Sequence, residues 1–261
     1  YRKVLDKFAA ETSSVPEFVD WQAHDFSMRG MGGIEAALTS AAGHLLSFTG
    51  SDTIPAIDFL EEYYNANSDQ ELVAGSVAAT EHSVMCMGTT EGEYETFKRL
   101  ITEVYPKGIV SIVSDTWDLW KVLTDYLTRL KKDIVSREGK VVIRPDSGDP
   151  VKIICGDPDG KSEVERKGVV ELLWDVFGGT ITDKGFKLLY QHIGAIYGDS
   201  INIERATLIC EGLKTKGFAT QVVFGIGSYT YQYNTRDTFG TAMKATYVVI
   251  DGEGREIFKN P

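Results

Sequence analysis

Short runs rich in β-branched and aliphatic residues recur along the chain. Each ends in a small polar or acidic group, and a helix-like stretch usually follows. Residues 110–113 run into Ser114 and Asp115 ahead of a helical pattern over 117–130. Residues 141–143 end in Arg144-Pro145-Asp146 and, after a Gly/Pro-rich loop, give way to an amphipathic stretch over 164–177. Residues 195–197 end in Gly198 and Asp199 before a helix over 203–216, and 222–227 close the series in Gly225-Ile226-Gly227. Near the start, 18–25 reads as a strand leading into an Ala-rich helix over 32–46.

Apolar runs that are continuous rather than alternating suit strands covered on both faces, as in a parallel sheet with crossover helices. Repeated strand-helix units predict an α/β barrel or a doubly wound sheet, in which ligand groups gather beyond the carboxyl ends of the strands. Asp25, Asp115, Arg144, Asp146, Asp199 and Gly227 all fall at such ends. No strand is followed at once by a dinucleotide glycine fingerprint, which favours the barrel.

Charge then narrows the partners. Lys+Arg 27 against Asp+Glu 38 gives a net charge of -11 over 261 residues, the opposite of a nucleic-acid footprint. Any phosphorylated ligand must therefore be held by a local cationic cluster or a metal. The longest apolar runs fall short of the ~18 residues that span a bilayer, and no basic-then-apolar leader is present, so a soluble, cytoplasmic, non-membrane chain is expected. Cys86, Cys155 and Cys210 are too dispersed for a disulfide framework or a zinc site and read as packed thiols. A start at Tyr1 and an end just past a hairpin-like stretch over 247–254 suggest a piece of a longer protein.

The stretch Arg144-Pro145-Asp146-Ser147-Gly148 carries the most chemistry. It offers a charged donor for phosphate and a carboxylate for ribose hydroxyls or a metal, though an ordinary turn with a solvated Arg-Asp pair would read the same way. Gly225 and Gly227 follow a strand, where backbone N–H groups can approach a phosphate; close helix packing is the alternative. His82 sits in Thr80-Glu81-His82-Ser83 as a general base, phosphate ligand or phosphoryl acceptor, or as a capping residue at a helix N-terminus. His24, His44 and His192 read as structural or surface residues, and Trp117 with Trp120 reads as core.

The heptapeptide His24-Asp25-Phe26-Ser27-Met28-Arg29-Gly30 resembles the His-Asp-Phe-x-x-Arg-Gly segment of nicotinamide phosphoribosyltransferases. The likeness continues in order through 48–53, 79–83, 113–115, 143–148, 184–189, 197–199, 224–227, 234–237, 247–249 and 257–259, essentially the whole chain. It implies an irregular α/β barrel of the type II phosphoribosyltransferase kind with part of a second, mainly β domain. Residues 1–234 would form the barrel, and 235–261 would begin the segment returning to the second domain. The implied reaction joins nicotinamide to phosphoribosyl pyrophosphate with Mg²⁺, in a homodimer with active sites at the subunit interface.

By the same resemblance, Asp25 would accept the carboxamide of nicotinamide and repel nicotinate. Arg144 and Asp146 would bind nicotinamide and ribose, with Ser114 and Asp115 lining the same pocket. Gly198, Asp199, Gly227 and Ser228 would contact the ribose and its 5′-phosphate, and Arg2 and Arg236 the donor's phosphates. His82 matches a histidine that ATP phosphorylates in the family. The resemblance assigns no direct metal ligands. Ser228 stands where relatives commonly carry a second glycine, and Ser27-Met28 where they often carry Gly-Tyr. The alternatives are a nicotinate phosphoribosyltransferase, or a non-catalytic binding or signalling protein on the same fold.

Overall fold

The structure, a computed structural model, describes residues 1–240 and 243–258, apart from the side chains of Arg236 and Phe239. In chain order the first elements are α1 (Arg2–Thr12), α2 (Val19–Gln22), β1 (Ala23–Asp25), α3 (Ile34–Leu45), β2 (Gly50–Ser51) and α4 (Ala56–Tyr64). Next come β3 (Ala78–Ala79), α5 (His82–Met87), α6 (Glu93–Arg99), β4 (Lys107–Val113), α7 (Leu119–Lys121), α8 (Leu127–Ser136) and β5 (Glu138–Arg144). They are followed by α9 (Pro150–Cys155), α10 (Glu163–Phe177), β6 (Gly179–Ile181), β7 (Lys187–Leu189), β8 (Ile193–Tyr197), α11 (Ile203–Thr215) and β9 (Val223–Ile226). The last are α12 (Tyr229–Gln232), β10 (Tyr247–Ile250) and β11 (Glu253–Glu256).

These elements form two compact units that interleave along the chain. The first takes Tyr1–Ser76, Ile181–Leu188 and Tyr197–Ala242; the second takes Val77–Thr180, Leu189–Ile196 and Met243–Pro261. In the first, β1 lies between β2 and β9, parallel to both, with His24 opposite Gly50 and Gly225. In the second, β4 pairs in parallel with β3 and β5, and β5 pairs in parallel with β8. The parallel strands with intervening helices are the α/β arrangement that the apolar runs imply.

Burial follows the sequence pattern. Val110, Ile112, Val113, Val141, Ile143, Ile193 and Ala195 on the strands are buried, as are Leu123, Leu127, Leu130, Val169 and Leu173 of the helical segments that follow β4 and β5 in the chain. The helix over 163–177 starts at a capping box: Ser162 Oγ accepts from the Glu165 N–H, and Glu165 accepts from the Ser162 N–H. The helix at 203 starts at Asn202, whose side chain accepts from the Arg205 N–H.

Two expectations need correction. The strand foreseen over 18–25 is confined to Ala23–Asp25, because Pro16 starts a tight helical turn that runs into α2. Trp117 and Trp120 are only half-buried, and Trp117 precedes the helix, so they are not a core pair. The hairpin over 247–254 is present: β10 and β11 are antiparallel, turned by Asp251 and Gly252 at positive φ, the backbone that a two-residue hairpin requires. Cys86, Cys155 and Cys210 are buried thiols, not disulfides.

Candidate active site

Each unit collects polar groups at the carboxyl ends of its parallel strands. In the second unit, Val113 lies opposite Arg144 in the β4–β5 register. The next residues of the two strands, Ser114-Asp115 and Pro145-Asp146, therefore leave the sheet side by side. Asp115 Oδ2 accepts from the Asp146 N–H at 2.9 Å, which ties the two turns together. The Ser114 N–H donates to Arg144 O, and Ser114 Oγ donates to Ile112 O, so that buried hydroxyl braces the backbone.

His82 opens α5 above this pair. Its Nε2 lies 3.7 Å from Asp146 Oδ2 and 3.9 Å from Asp115 Oδ1, and its Nδ1 lies 3.3 Å from Thr116 Oγ1. One imidazole thus faces two carboxylates at the ends of β4 and β5. Arg144 is buried, and its guanidinium reaches Thr80 O at 3.4 Å. Thr80 Oγ1 accepts from the Val113 N–H, so β3, β4 and β5 are tied together at this end. Gly148 then turns the chain at φ +91°, and Asp149 caps α9 through the Val151 and Lys152 N–H groups.

In the first unit a cavity of about 400 Å³ opens at the ends of the strands. Phe26, Arg29 and Gly30 line it from the turn after β1, and Gly198, Asp199, Ser200 and Asn202 from the turn after β8. Gly227, Ser228 and Tyr229 line it from the turn after β9, with Arg205 and Asp237 nearby. Gly225 is required here by close approach: a Cβ on it would run into the Phe26 ring and the Gly198 Cα. A Cβ on Gly227 would meet nothing within 4 Å, which leaves its backbone open to a ligand. Ser200 holds a left-handed conformation at φ +51°, and its carbonyl accepts from Arg205 Nη1 at 2.6 Å.

Asp25 ends β1 but contributes no surface to the cavity. It is 0% exposed, and its carboxylate accepts from the Ser27 N–H (2.9 Å), Ser51 Oγ (3.1 Å) and Thr53 Oγ1 (2.8 Å). Direct contact with a substrate carboxamide does not fit this sealed group; it braces the turn after β2. Next to it Asp52 is half exposed and joins His24 Nε2 and Ser76 Oγ, both at 2.7 Å. Arg2 is engaged on α1 by Asp6 (2.9 Å), Asp20 (2.6 Å) and Ser47 O, and it is not among the residues lining the cavity. The Arg236 side chain lies outside the described residues.

The structure therefore brings His82, Asp115, Asp146, Arg144 and Ser114 together in the second unit, and Gly198, Asp199, Gly227 and Ser228 in the first. Sequence reasoning missed Phe26, Arg29 and Arg205 as cavity residues, although Phe26 and Arg29 lie inside the heptapeptide 24–30. Among the described residues no cluster of three or more His, Cys, Asp and Glu is arranged to hold a metal ion. No helix among them is long and apolar enough to cross a membrane.

Residues 21–261 match the model of the nicotinate phosphoribosyltransferase family. The chain belongs to that family. A curated nicotinamide phosphoribosyltransferase of Acinetobacter baylyi is 56% identical over 100% of this chain and 53% of its own length. One of Mycoplasma pneumoniae is 40% identical over 99% of this chain and 54% of its own length. The chain thus spans about half the length of the curated relatives it matches. A solved structure from Saccharomyces cerevisiae, described as a nicotinate phosphoribosyltransferase, superposes with a TM-score of 0.51 at 16% identity. It covers 90% of this chain and 51% of the other, a likeness of fold. The α/β fold is accordingly of the type II phosphoribosyltransferase kind, as the ordered motifs imply.

Proposed function

We propose that the protein containing this chain is a nicotinamide phosphoribosyltransferase. The carrying observation is whole-chain identity of 56% to a relative of that name. The strand-end groups supply suitable chemistry. In the reaction the pyridine nitrogen of nicotinamide forms a bond to the ribose anomeric carbon. The bond from that carbon to pyrophosphate breaks, and the electron pair leaves with pyrophosphate. The pyridine nitrogen is already nucleophilic, so positioning and charge stabilisation carry the rate.

In this reading the backbone at Gly198, Gly227 and Ser228 would hold the 5′-phosphate, and Asp199 the ribose. Arg144 and Asp146 would orient the reacting ring and sugar, and Arg29 and Arg205 would offset phosphate charge. Mg²⁺ fits the carboxylates of Asp115 and Asp146: Asp115 Oδ1 is buried and accepts no hydrogen bond among the described residues. Magnesium is commonly held by one or two carboxylates with phosphate oxygens, so a complete protein cage is not needed. Bound there, it would offset charge on the leaving pyrophosphate. His82 would accept a phosphoryl group from ATP. A homodimer with shared sites and a cytoplasmic location complete the proposal.

The test is to incubate the full-length protein with phosphoribosyl pyrophosphate, Mg²⁺ and either nicotinamide or nicotinate, then assay the mononucleotides. Nicotinamide mononucleotide is the expected product. Product from nicotinate alone would favour the family's other activity, and no product from either would favour a binding role.

A further inference from the structure

His44 and Tyr231 belong to no step of that reaction, yet they join two parts of the first unit. His44 lies in the last turn of α3 and is 8% exposed. Its Nε2 is 3.0 Å from Gly50 O, and its Nδ1 is 3.0 Å from the Tyr231 hydroxyl. A carbonyl oxygen only accepts, so Nε2 carries the proton and Nδ1 accepts from the tyrosine O–H. Burial holds the His44 imidazole below its ordinary pKa and pushes the Tyr231 hydroxyl well above its own. Both partners are therefore neutral, and the tautomer is fixed.

The bond matters because of what Tyr231 is attached to. It sits on α12, a helix of four residues that directly follows Gly227-Ser228. So short a helix draws little stability from its own ladder. The Tyr231 and Gln232 N–H groups donate to Ser228 O at 3.0 and 2.9 Å, and Ser228 Oγ donates to Asn234 O at 2.8 Å. Among the described residues three outside ties then hold the helix, one of them Thr230 Oγ1 at 3.3 Å from the Tyr1 hydroxyl. Gln232 Oε1 accepts from the Gly32 N–H just before α3, and Tyr231 donates to His44 near the end of α3. On its other side His44 holds Gly50 O, next to the Ser51 that donates to Asp25.

We propose that His44 and Tyr231 are a positioning pair that sets the Gly227-Ser228 turn for the phosphate of the phosphoribosyl donor. The inference rests on the phosphoribosyltransferase reading above. Neither residue touches the substrate; the pair acts through Ser228. Loss of the Tyr231 hydroxyl releases one of these three outside ties, so the cost falls on the phosphate-bearing substrate and not on the pyridine.

The experiment compares wild type with Tyr231→Phe in the full-length protein, varying phosphoribosyl pyrophosphate and nicotinamide separately and measuring ribose 5-phosphate binding by calorimetry. Loss of one buried hydrogen bond predicts about a fivefold rise in donor KM and a matching loss of ribose 5-phosphate affinity. The nicotinamide KM should stay within about twofold, a split that a general loss of stability would not produce. His44→Gln approaches the bond from the other side and should give the same split, so the test survives failure of either variant to fold. Equal rises in both KM values, or unchanged ribose 5-phosphate binding in the variants, would overturn the pairing and leave the phosphoribosyl reading standing. A wild type that forms no mononucleotide and does not bind ribose 5-phosphate would overturn both.

Discussion

Thr53 Oγ1 donates to Asp25 Oδ2 at 2.8 Å, inside a pocket of protein donors that leaves Asp25 no exposed surface. A carboxylate so enclosed serves the fold: it fixes Ser51 and Thr53, and with them the turn that presents Asp52.

Asp25→Asn is expected to destabilise the protein by roughly 1–3 kcal/mol, because one amide group cannot accept all three bonds. The preference for nicotinamide over nicotinate should persist in the folded variant. Thermal melts paired with competition kinetics check this; lost preference at unchanged stability would restore direct recognition by Asp25.

Asp146→Ala removes one of the two carboxylates facing His82 and a candidate oxygen donor for Mg²⁺. A drop of about 100-fold in kcat/KM is expected, the scale seen when reacting groups lose their placement. Steady-state assays over a range of Mg²⁺ concentrations would show it. Activity within twofold of wild type would remove Asp146 from the site.

Glu93 is buried on α6, and one of its carboxylate oxygens, Oε1, accepts no hydrogen bond among the described residues. Burial pushes its carboxyl up to about 7, against the opposing hydrogen bond with Tyr126 and the charge of Lys121. A raised acid binds its proton more tightly in the folded state. Its contribution is therefore full below its ordinary value near 4.5 and is lost as pH rises through about 7. Glu93→Gln should melt at a higher temperature than wild type at pH 8 and show no such gain at pH 4. Melting curves across that range test the sign.

Gly225→Ala forces a methyl group against the Phe26 ring and the Gly198 backbone. Overpacking of this kind costs about 1–3 kcal/mol and would shift two walls of the first unit's cavity. The matched change Gly227→Ala meets open space and should cost far less stability, so comparing the two by denaturant titration isolates the steric term.

The sequence by itself determined the α/β class and most strand ends, because continuous apolar runs and their polar stops are local features. The ordered motifs determined the family for the same reason. The β4–β5 register then decided that Asp115 and Asp146 meet under His82, residues 33 and 64 positions from it along the chain. Three features came only from tertiary packing: the sealing of Asp25, the engagement of Arg2 by Asp20 and Ser47 O, and the half-exposure of Trp117 and Trp120. Side-chain type records which bonds a residue is able to make; only neighbours brought from distant positions decide which bonds are already taken.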